Sequence, residues 1–447
     1  MGKLFGTDGI RGVANQYPMT PETALRAGRA VSLVFGKKGR IVIGKDTRIS
    51  STMLEYALAA GICSAGGNAY LAGVLPTPGI AFLSQAEKAD AGIVISASHN
   101  PYYDNGIKVF KGNGFKLPDE KEAEIEELLL DENLAEKCSH IRETGQVFSL
   151  ENAGYRYAEF LKNTLPSDFS LKGMKIVLDC SNGATYQAAP KVFAELGADI
   201  QCLFASPDGK NINENCGSQH TETLKSHVLA WNADIGLAFD GDGDRLIAVD
   251  EKGNTVTGDK ILAICAKHMK KKGLLKNNLA VTTVMSNIGL HIALKKMEIE
   301  HRITDVGDRY VMQEMLTSGA VLGGEDSGHM IFLNHHSTGD GILSALRLIE
   351  AVTDAEKPLS ELAGIMEVYP QLLVNVEVRE KPDLETHPRI SAVIRNAENI
   401  LGEKGRVLVR YSGTQPLCRI MIEASSQAET LQYCEEIAAV VKAEIGK

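Results

Sequence analysis

Three times along this chain a short apolar strand runs into a turn of Gly, Ser, Asp and Asn, and then into a helical pattern. The stretches are I-V-I-G-K-D-T-R-I-S (Ile41–Ser50), K-I-V-L-D-C-S-N-G-A-T (Lys175–Thr185) and A-V-T-T-V-M-S-N-I-G (Ala280–Gly289). About 40–60 residues after each, a second apolar strand ends in a denser polar turn. Those turns close G-I-V-I-S-A-S-H-N-P (Gly92–Pro101), I-G-L-A-F-D-G-D-G-D-R (Ile235–Arg245) and A-V-L-G-G-E-D-S-G-H (Ala320–His329). Alternating strands and helices build α/β layers rather than bundles or sandwiches. Ligands of open α/β sheets gather at the carboxyl ends of strands, so the three dense turns are expected to face one substrate. From about Tyr369 the pattern changes: one strand, a charged helical stretch, two strands around R-Y-S-G-T-Q-P, and a closing helix. The fold expected is three similar mixed-sheet α/β domains, residues 1–150, 151–255 and 256–367, and a smaller α+β domain, residues 368–447. Asp119–Glu136 reads as one charged helix with a solvated face.

A chain of 447 residues with 44% hydrophobic content supports several cores. The formal net charge of −10 excludes a global basic field for nucleic acid. An anionic small substrate would need Arg and Lys gathered locally. The eight cysteines are scattered without a CxxC pair, which reads as a reducing compartment with mostly buried thiols. The amino terminus lacks an apolar leader, and no run reaches the roughly 20 apolar residues of a membrane span. A soluble, cytoplasmic protein is expected. Walker A, G-x-G-x-x-G and, around Ser98, G-x-S-x-G patterns are all absent, which argues against P-loop, dinucleotide and serine-hydrolase chemistry.

The sharpest local signal is F-D-G-D-G-D-R (Phe239–Arg245). In an extended strand, alternate residues share a side, so Asp240, Asp242 and Asp244 would crowd together. Their mutual repulsion is relieved by a divalent cation, and oxygen donors in a compact site suit Mg²⁺. Gly241 and Gly243 permit the tight backbone that such convergence requires. An EF-hand reading fails because its sixth position, here Arg245, should be Gly. Two serines, Ser96 and Ser98, compete in I-S-A-S-H-N-P, and Ser98 is expected to be the more exposed. His99 beside it faces the other side of a strand and makes a weak base. Arg11 in F-G-T-D-G-I-R-G, with Lys45 and Arg48, adds charge near the first turn. Thr304–Arg309 offers further sugar or phosphate contacts. Arg410, Ser412 and Thr414, with Gly413 and Arg419, form a kit for gripping a dianionic phosphate.

The motifs S-A-S-H-N-P, D-G-D-G-D-R, E-D-S-G-H and R-Y-S-G-T-Q-P, in this order across the whole chain, resemble the α-D-phosphohexomutases. The opening F-G-T-D-G-I-R-G-V-A-N and the form G-E-D-S-G-H resemble the branch acting on glucosamine phosphates. Mannose and glucose phosphate branches usually carry Met in place of Asp326. The resemblance implies four domains around a central cleft and a phosphoserine at Ser98. It implies Mg²⁺ held by Asp240, Asp242, Asp244 and the Ser98 phosphate, with Arg245 and Lys108 as catalytic groups. Arg11 joins them as a catalytic charge. Glu325 and Ser327 would contact sugar hydroxyls, and His329 would act as an acid, base or binding group. Arg410, Ser412, Gly413, Thr414 and Arg419 would hold the substrate phosphate. The implied reaction converts glucosamine 6-phosphate to glucosamine 1-phosphate through a 1,6-bisphosphate, in bacterial cell-wall precursor synthesis, with hexose or hexosamine 1,6-bisphosphate as activator. The partners implied are sugar phosphates, with no nucleic acid or membrane, and the protein is expected as a monomer or homodimer. A mannose or glucose phosphate mutase is the nearest alternative, and a sugar-phosphate sensor without turnover the alternative from another class.

Overall fold

The computed structural model describes residues 4–6, 8–36, 38–412 and 415–447. Two compact units form: one runs up to Val284 and includes Glu300–Ala363, and the other joins Met285–Ile299 to Gly364–Lys447.

The larger unit contains three sheets. The first holds β1 (Ile10–Val13), β2 (Arg40–Lys45), β3 (Asn68–Val74), β4 (Ala91–Ile95), β5 (Asp104–Lys111) and β6 (Val147–Ser149). Their order is β1-β5-β4-β2-β3-β6. The second is ordered β11-β10-β9-β7-β8, from β7 (Lys175–Asp179), β8 (Asp199–Leu203), β9 (Ile235–Phe239), β10 (Leu246–Asp250) and β11 (Thr255–Val256). The third is ordered β13-β12-β14-β15, from β12 (Leu279–Thr283), β13 (Glu300–Thr304), β14 (Leu322–Gly324) and β15 (Met330–Phe332). One four-strand pattern recurs in all three. A central strand (β2, β7 or β12) pairs in parallel with the next strand and with the one after it, and the latter turns back antiparallel. The threefold repeat in the sequence is therefore a repeat of topology. In each copy the dense polar turn is the reversal that follows the second parallel strand.

The strands that carry those turns are apolar because both faces are covered. Every residue of β4, β9 and β14 is buried, the signature of strands with layers on both sides. The helix Pro21–Phe35 begins with Pro at its first turn and a cap from Thr20 Oγ1, which accepts the Thr23 N–H at 3.2 Å. It packs closely on the helix Ser51–Ser64. A Cβ added at Gly28 would sit 2.3 Å from the Leu58 carbonyl oxygen, and one at Gly61 would sit 2.1 Å from that of Leu25. Two glycines thus set the helix separation from opposite sides.

The charged stretch departs from the expected single helix. It breaks into Asp119–Leu130 and Leu134–Ser139. Its acidic face is also not wholly solvated, because Asp119 and Glu122 hold Arg309. The smaller unit carries a three-stranded antiparallel sheet ordered β16-β18-β17, from β16 (Gln371–Glu377), β17 (Arg406–Tyr411) and β18 (Leu417–Glu423). Helices Pro388–Leu401 and Gln427–Ile445 complete its core. All eight cysteines are free and six are buried. Among the described residues no helix is long and apolar enough to cross a membrane.

Gly61→Val should lower the thermal unfolding midpoint, an overpacking cost of about 1–3 kcal/mol. Gly154→Ala, where the nearest atom to an added Cβ lies 4.0 Å away on a helix, should be neutral or stabilising by up to about 1 kcal/mol.

Candidate active site

The three dense turns of the larger unit meet. Arg245, at the end of the acidic turn, forms an isolated β-bridge with His329 of the E-D-S-G-H turn. Ser98 Oγ donates to Asp240 Oδ2 at 2.6 Å.

Ser98 lies beyond the end of β4 and adopts a left-handed backbone, φ +51°. Both candidate serines are buried, so exposure, expected to favour Ser98, does not separate them. Their environments separate them instead. Ser96 Oγ is spent on Asp46 at 2.5 Å and accepts the Ser98 N–H at 3.0 Å, whereas Ser98 Oγ faces the acidic turn. The left-handed residue also rotates the chain out of strand geometry. His99 therefore does not face away: its Nδ1 lies 3.2 Å from Ser98 Oγ. Burial, with Arg245 and Arg11 nearby, lowers the His99 pKa to about 4, so the imidazole is neutral at pH 7.

Asp240, Asp242 and Asp244 do converge, with one oxygen from each within 4.8 Å of the others. The pleat of an extended strand is not the cause. β9 ends at Phe239, and a turn with Gly243 at φ +72° gathers the carboxylates. Thr77, which opens the helix Thr77–Ala86, fixes the middle one. Its N–H donates to the Asp242 carbonyl at 2.8 Å and its hydroxyl to Asp242 Oδ2 at 2.6 Å. Burial, then Asp244 and Asp242, pushes Asp240 well above the usual carboxylate range. Oδ1 of Asp242 and of Asp244 are buried without a hydrogen-bond partner. Hard oxygens, unpaired and crowded in a buried turn, fit a divalent cation.

Cationic side chains ring this cluster. Lys108 Nζ lies 2.8 Å from Asp242, 3.0 Å from Asp8 and 3.8 Å from Asp244. Burial opposes its charge, but those carboxylates outweigh it and hold the ammonium protonated. His329 lies 3.5 Å from Asp244 through Nδ1 and 3.5 Å from Asp308 through Nε2. Burial disfavours its charge too, yet Asp244, Asp308 and Glu325 push its pKa up to about 9. Lys116 closes the circuit, 2.5 Å from both Asp308 and Asp8. Asp8, Lys108, Asp244, His329, Asp308 and Lys116 thus form one closed ring of alternating charge.

A cavity of about 410 Å³ opens beside this ring, and Arg11, Asp244, Arg245, Asp308, Glu325 and His329 line it. Arg11 pairs with Asp8. Arg245 reaches Asp244 at 3.8 Å and donates its backbone N–H to Asp240 at 3.1 Å. Glu325 Oε1 accepts the Gly307 N–H at 3.0 Å, and Ser327 is exposed on the same turn. Thr304–Arg309 splits: Gly307 and Asp308 join the site, but Arg309 turns to Asp119 and Glu122. Lys45 is committed to Thr52 and Glu55, and Arg48 is fully buried beneath the Ser98 turn.

Sequence reasoning missed Thr77, Asp8, Lys116 and the part Asp308 plays. Asp8 and Asp308 lay inside quoted segments. Lys116 and Thr77 carried no local signal, because only tertiary packing joins them to the turns.

In the smaller unit, Arg410 and Arg419 are direct cross-strand partners between β17 and β18. Like charges opposite one another repel, which an anion relieves. Arg419 Nε is buried without a hydrogen-bond partner. Ser412 N donates to Leu417 O at 2.8 Å, and Lys381 Nζ donates to Ser412 O at 2.7 Å. Gly413 and Thr414 lie outside the described residues.

Comparison with known proteins decides the family. Four models match in order: phosphoglucomutase/phosphomannomutase alpha/beta/alpha domain I over residues 2–136, domain II over 155–253, domain III over 257–369, and the C-terminal domain over 373–440. The chain belongs to the phosphoglucomutase/phosphomannomutase family. Its relatives include the phosphoglucosamine mutases of Syntrophus aciditrophicus and Syntrophobacter fumaroxidans, each 59% identical with all of both chains covered. In fold it is similar to a family protein from Burkholderia thailandensis, with TM-score 0.81 at 23% identity and all of both chains covered. It is also similar to Aspergillus fumigatus N-acetylphosphoglucosamine mutase in complex with GlcNAc-6P and magnesium. There the TM-score is 0.68 at 18% identity, covering 99% of this chain and 96% of that one.

Saturating divalent cation, at about 100 times its Kd, should stabilise the wild type by about 2.7 kcal/mol in thermal unfolding. Asp242→Asn should lose most of that gain. An undiminished gain in the variant would remove the acidic turn as the cation site.

Proposed function

We propose that this protein interconverts glucosamine 6-phosphate and glucosamine 1-phosphate, through a phosphoserine at Ser98 and a glucosamine 1,6-bisphosphate intermediate. The reaction feeds UDP-N-acetylglucosamine and cell-wall precursor synthesis in the bacterial cytoplasm. One observation carries the reading: the Ser98 hydroxyl, 2.6 Å from Asp240, stands against three buried carboxylates beside a cavity lined by Arg11, Arg245 and His329. Full-length similarity to named phosphoglucosamine mutases supports the choice of sugar.

Asp240, Asp242 and Asp244 would hold Mg²⁺, which when bound neutralises phosphoryl oxygens. In the first half-reaction the bond between phosphorus and Ser98 Oγ breaks as one to the sugar O1 forms. The sugar hydroxyl gives up a proton and Ser98 Oγ takes one up. Lys108 and His329, both held protonated, serve as acids toward the departing oxygen. Asp8, Asp242 and Asp244 keep the Lys108 charge beside the phosphoryl group, and the same side chain serves as general acid/base, relaying the proton from the sugar hydroxyl to Ser98 Oγ. Arg245 and Arg11 supply further positive charge to the phosphoryl group. Glu325 and Ser327 hold sugar hydroxyls. Arg410, Ser412, Gly413, Thr414 and Arg419 would bind a substrate phosphate. The bisphosphate turns end for end, and Ser98 recovers a phosphoryl group from O6. A hexose or hexosamine 1,6-bisphosphate restores the phosphoenzyme whenever the intermediate escapes.

Coupled assays should give glucosamine 6-phosphate the highest kcat/KM among glucosamine, mannose and glucose phosphates. A higher value for either hexose would move the assignment to another branch of the family. Intact-mass measurement should show a partial species heavier by about 80 Da, one phosphoryl group, absent in Ser98→Ala. A wild type that carries no such mass and gains none from glucose 1,6-bisphosphate would overturn the mutase reading.

A further inference from the structure

We propose that Asn213 and Arg48 are positioning residues for phosphoryl transfer, clamping the main chain of the Ser98 turn so that Oγ stays aimed at the acidic turn. The inference rests on Ser98 being the phosphorylated group.

Past Ile95 the chain leaves its sheet, so the carbonyls of the turn have no ladder partners. They are met by a paired set of donors instead. The Ser98 carbonyl accepts from Arg48 Nη2 at 2.9 Å and from Asn213 Nδ2 at 2.9 Å. The Asn100 carbonyl accepts from the same two groups, at 2.9 Å and 3.0 Å. Arg48 Nη1 takes the Pro101 carbonyl as well. One guanidinium and one amide, each with several N–H donors, hold both ends of the turn. Ser98 needs such support because its left-handed backbone is disfavoured for a residue with a side chain.

Both donors are themselves fixed. The Arg48 side chain is fully buried, with Nε 2.9 Å from Asp46 Oδ2. That carboxylate also takes Ser96 Oγ and Ser51 Oγ. Asn213 comes from the segment between β8 and β9, its N–H donating to Ser181 O at 2.9 Å. Gly241 leaves space for the contact. A Cβ there would sit 2.5 Å from the Ser98 carbonyl oxygen and 2.7 Å from Asn213 Nδ2. The serine turn, the Asn213 segment and the acidic turn therefore meet at one point, and neither clamp residue is bonded to Oγ. Phosphoryl transfer depends chiefly on position, so a small displacement of Oγ costs rate rather than sugar affinity.

The test uses full-length enzyme with Mg²⁺ and glucose 1,6-bisphosphate. Asn213→Asp keeps the size and the tolerance for a left-handed backbone, but turns an acceptor toward the two carbonyls. Expected are a KM for glucosamine 6-phosphate within about twofold of wild type and a kcat lower by about 10- to 100-fold. Ser98 phosphorylation by glucose 1,6-bisphosphate, followed by intact mass, should slow by a similar factor. Arg48→Lys should show the same split. If Asn213→Asp does not fold, Asn213→Gly keeps the backbone, deletes the donor and is read in the same way. Unchanged kcat per folded molecule, or a raised KM with kcat retained, would overturn the clamp while leaving the mutase reading intact. A wild type never phosphorylated at Ser98 would remove both.

Discussion

Three carboxylates buried within 4.8 Å of one another set the terms for everything around them. Charge out of water is costly unless it is paired, and three like charges multiply that cost. The surroundings are built to offset it. Lys108 reaches in from β5, His329 from the turn before β15, and Arg245 from the acidic turn itself. Their partners in turn, Asp8, Asp308 and Lys116, extend the pairing into a closed ring. A site so arranged alternates positive and negative groups around the buried carboxylates.

The threefold topology explains how such a ring can be assembled from distant sequence. Each sheet delivers one reversal at the same place in its strand order, so similar units supply different chemistry. The first gives a hydroxyl, the second gives carboxylates, and the third gives an imidazole and a glutamate. The turns then lock to one another through the main chain. Ser98 O meets Asn213 from beside the second sheet, and Arg245 bridges His329 of the third. The three turns are thus joined by contacts between the sheets.

Much of this was legible in the residues. The alternation of strand and turn gave the architecture, because buried parallel strands must read as apolar runs. The acidic turn, Ser98 and His329 were marked by local motifs, and Lys108 was implied by the family resemblance. Other inferences failed for a common reason: they extended strand geometry into turns. Asp240, Asp242 and Asp244 gather by a glycine turn and not by pleat alternation. His99 approaches Ser98 because a left-handed residue, not a strand, separates their directions. Exposure was expected to favour Ser98 over Ser96, but both are buried.

By itself the sequence determined which chemical groups the protein owns and on which reversals they sit, because hydrophobic period and turn residues are local properties. Only the tertiary structure decided protonation and aim. Lys108 holds its proton because Asp242 and Asp244 of the acidic turn and Asp8 of the amino-terminal segment converge on it. Thr77 and Asn213 hold the acidic turn and the Ser98 turn although nothing beside them in sequence announces it. Burial and proximity between residues a hundred or more positions apart set those properties, and no local pattern encodes such distances.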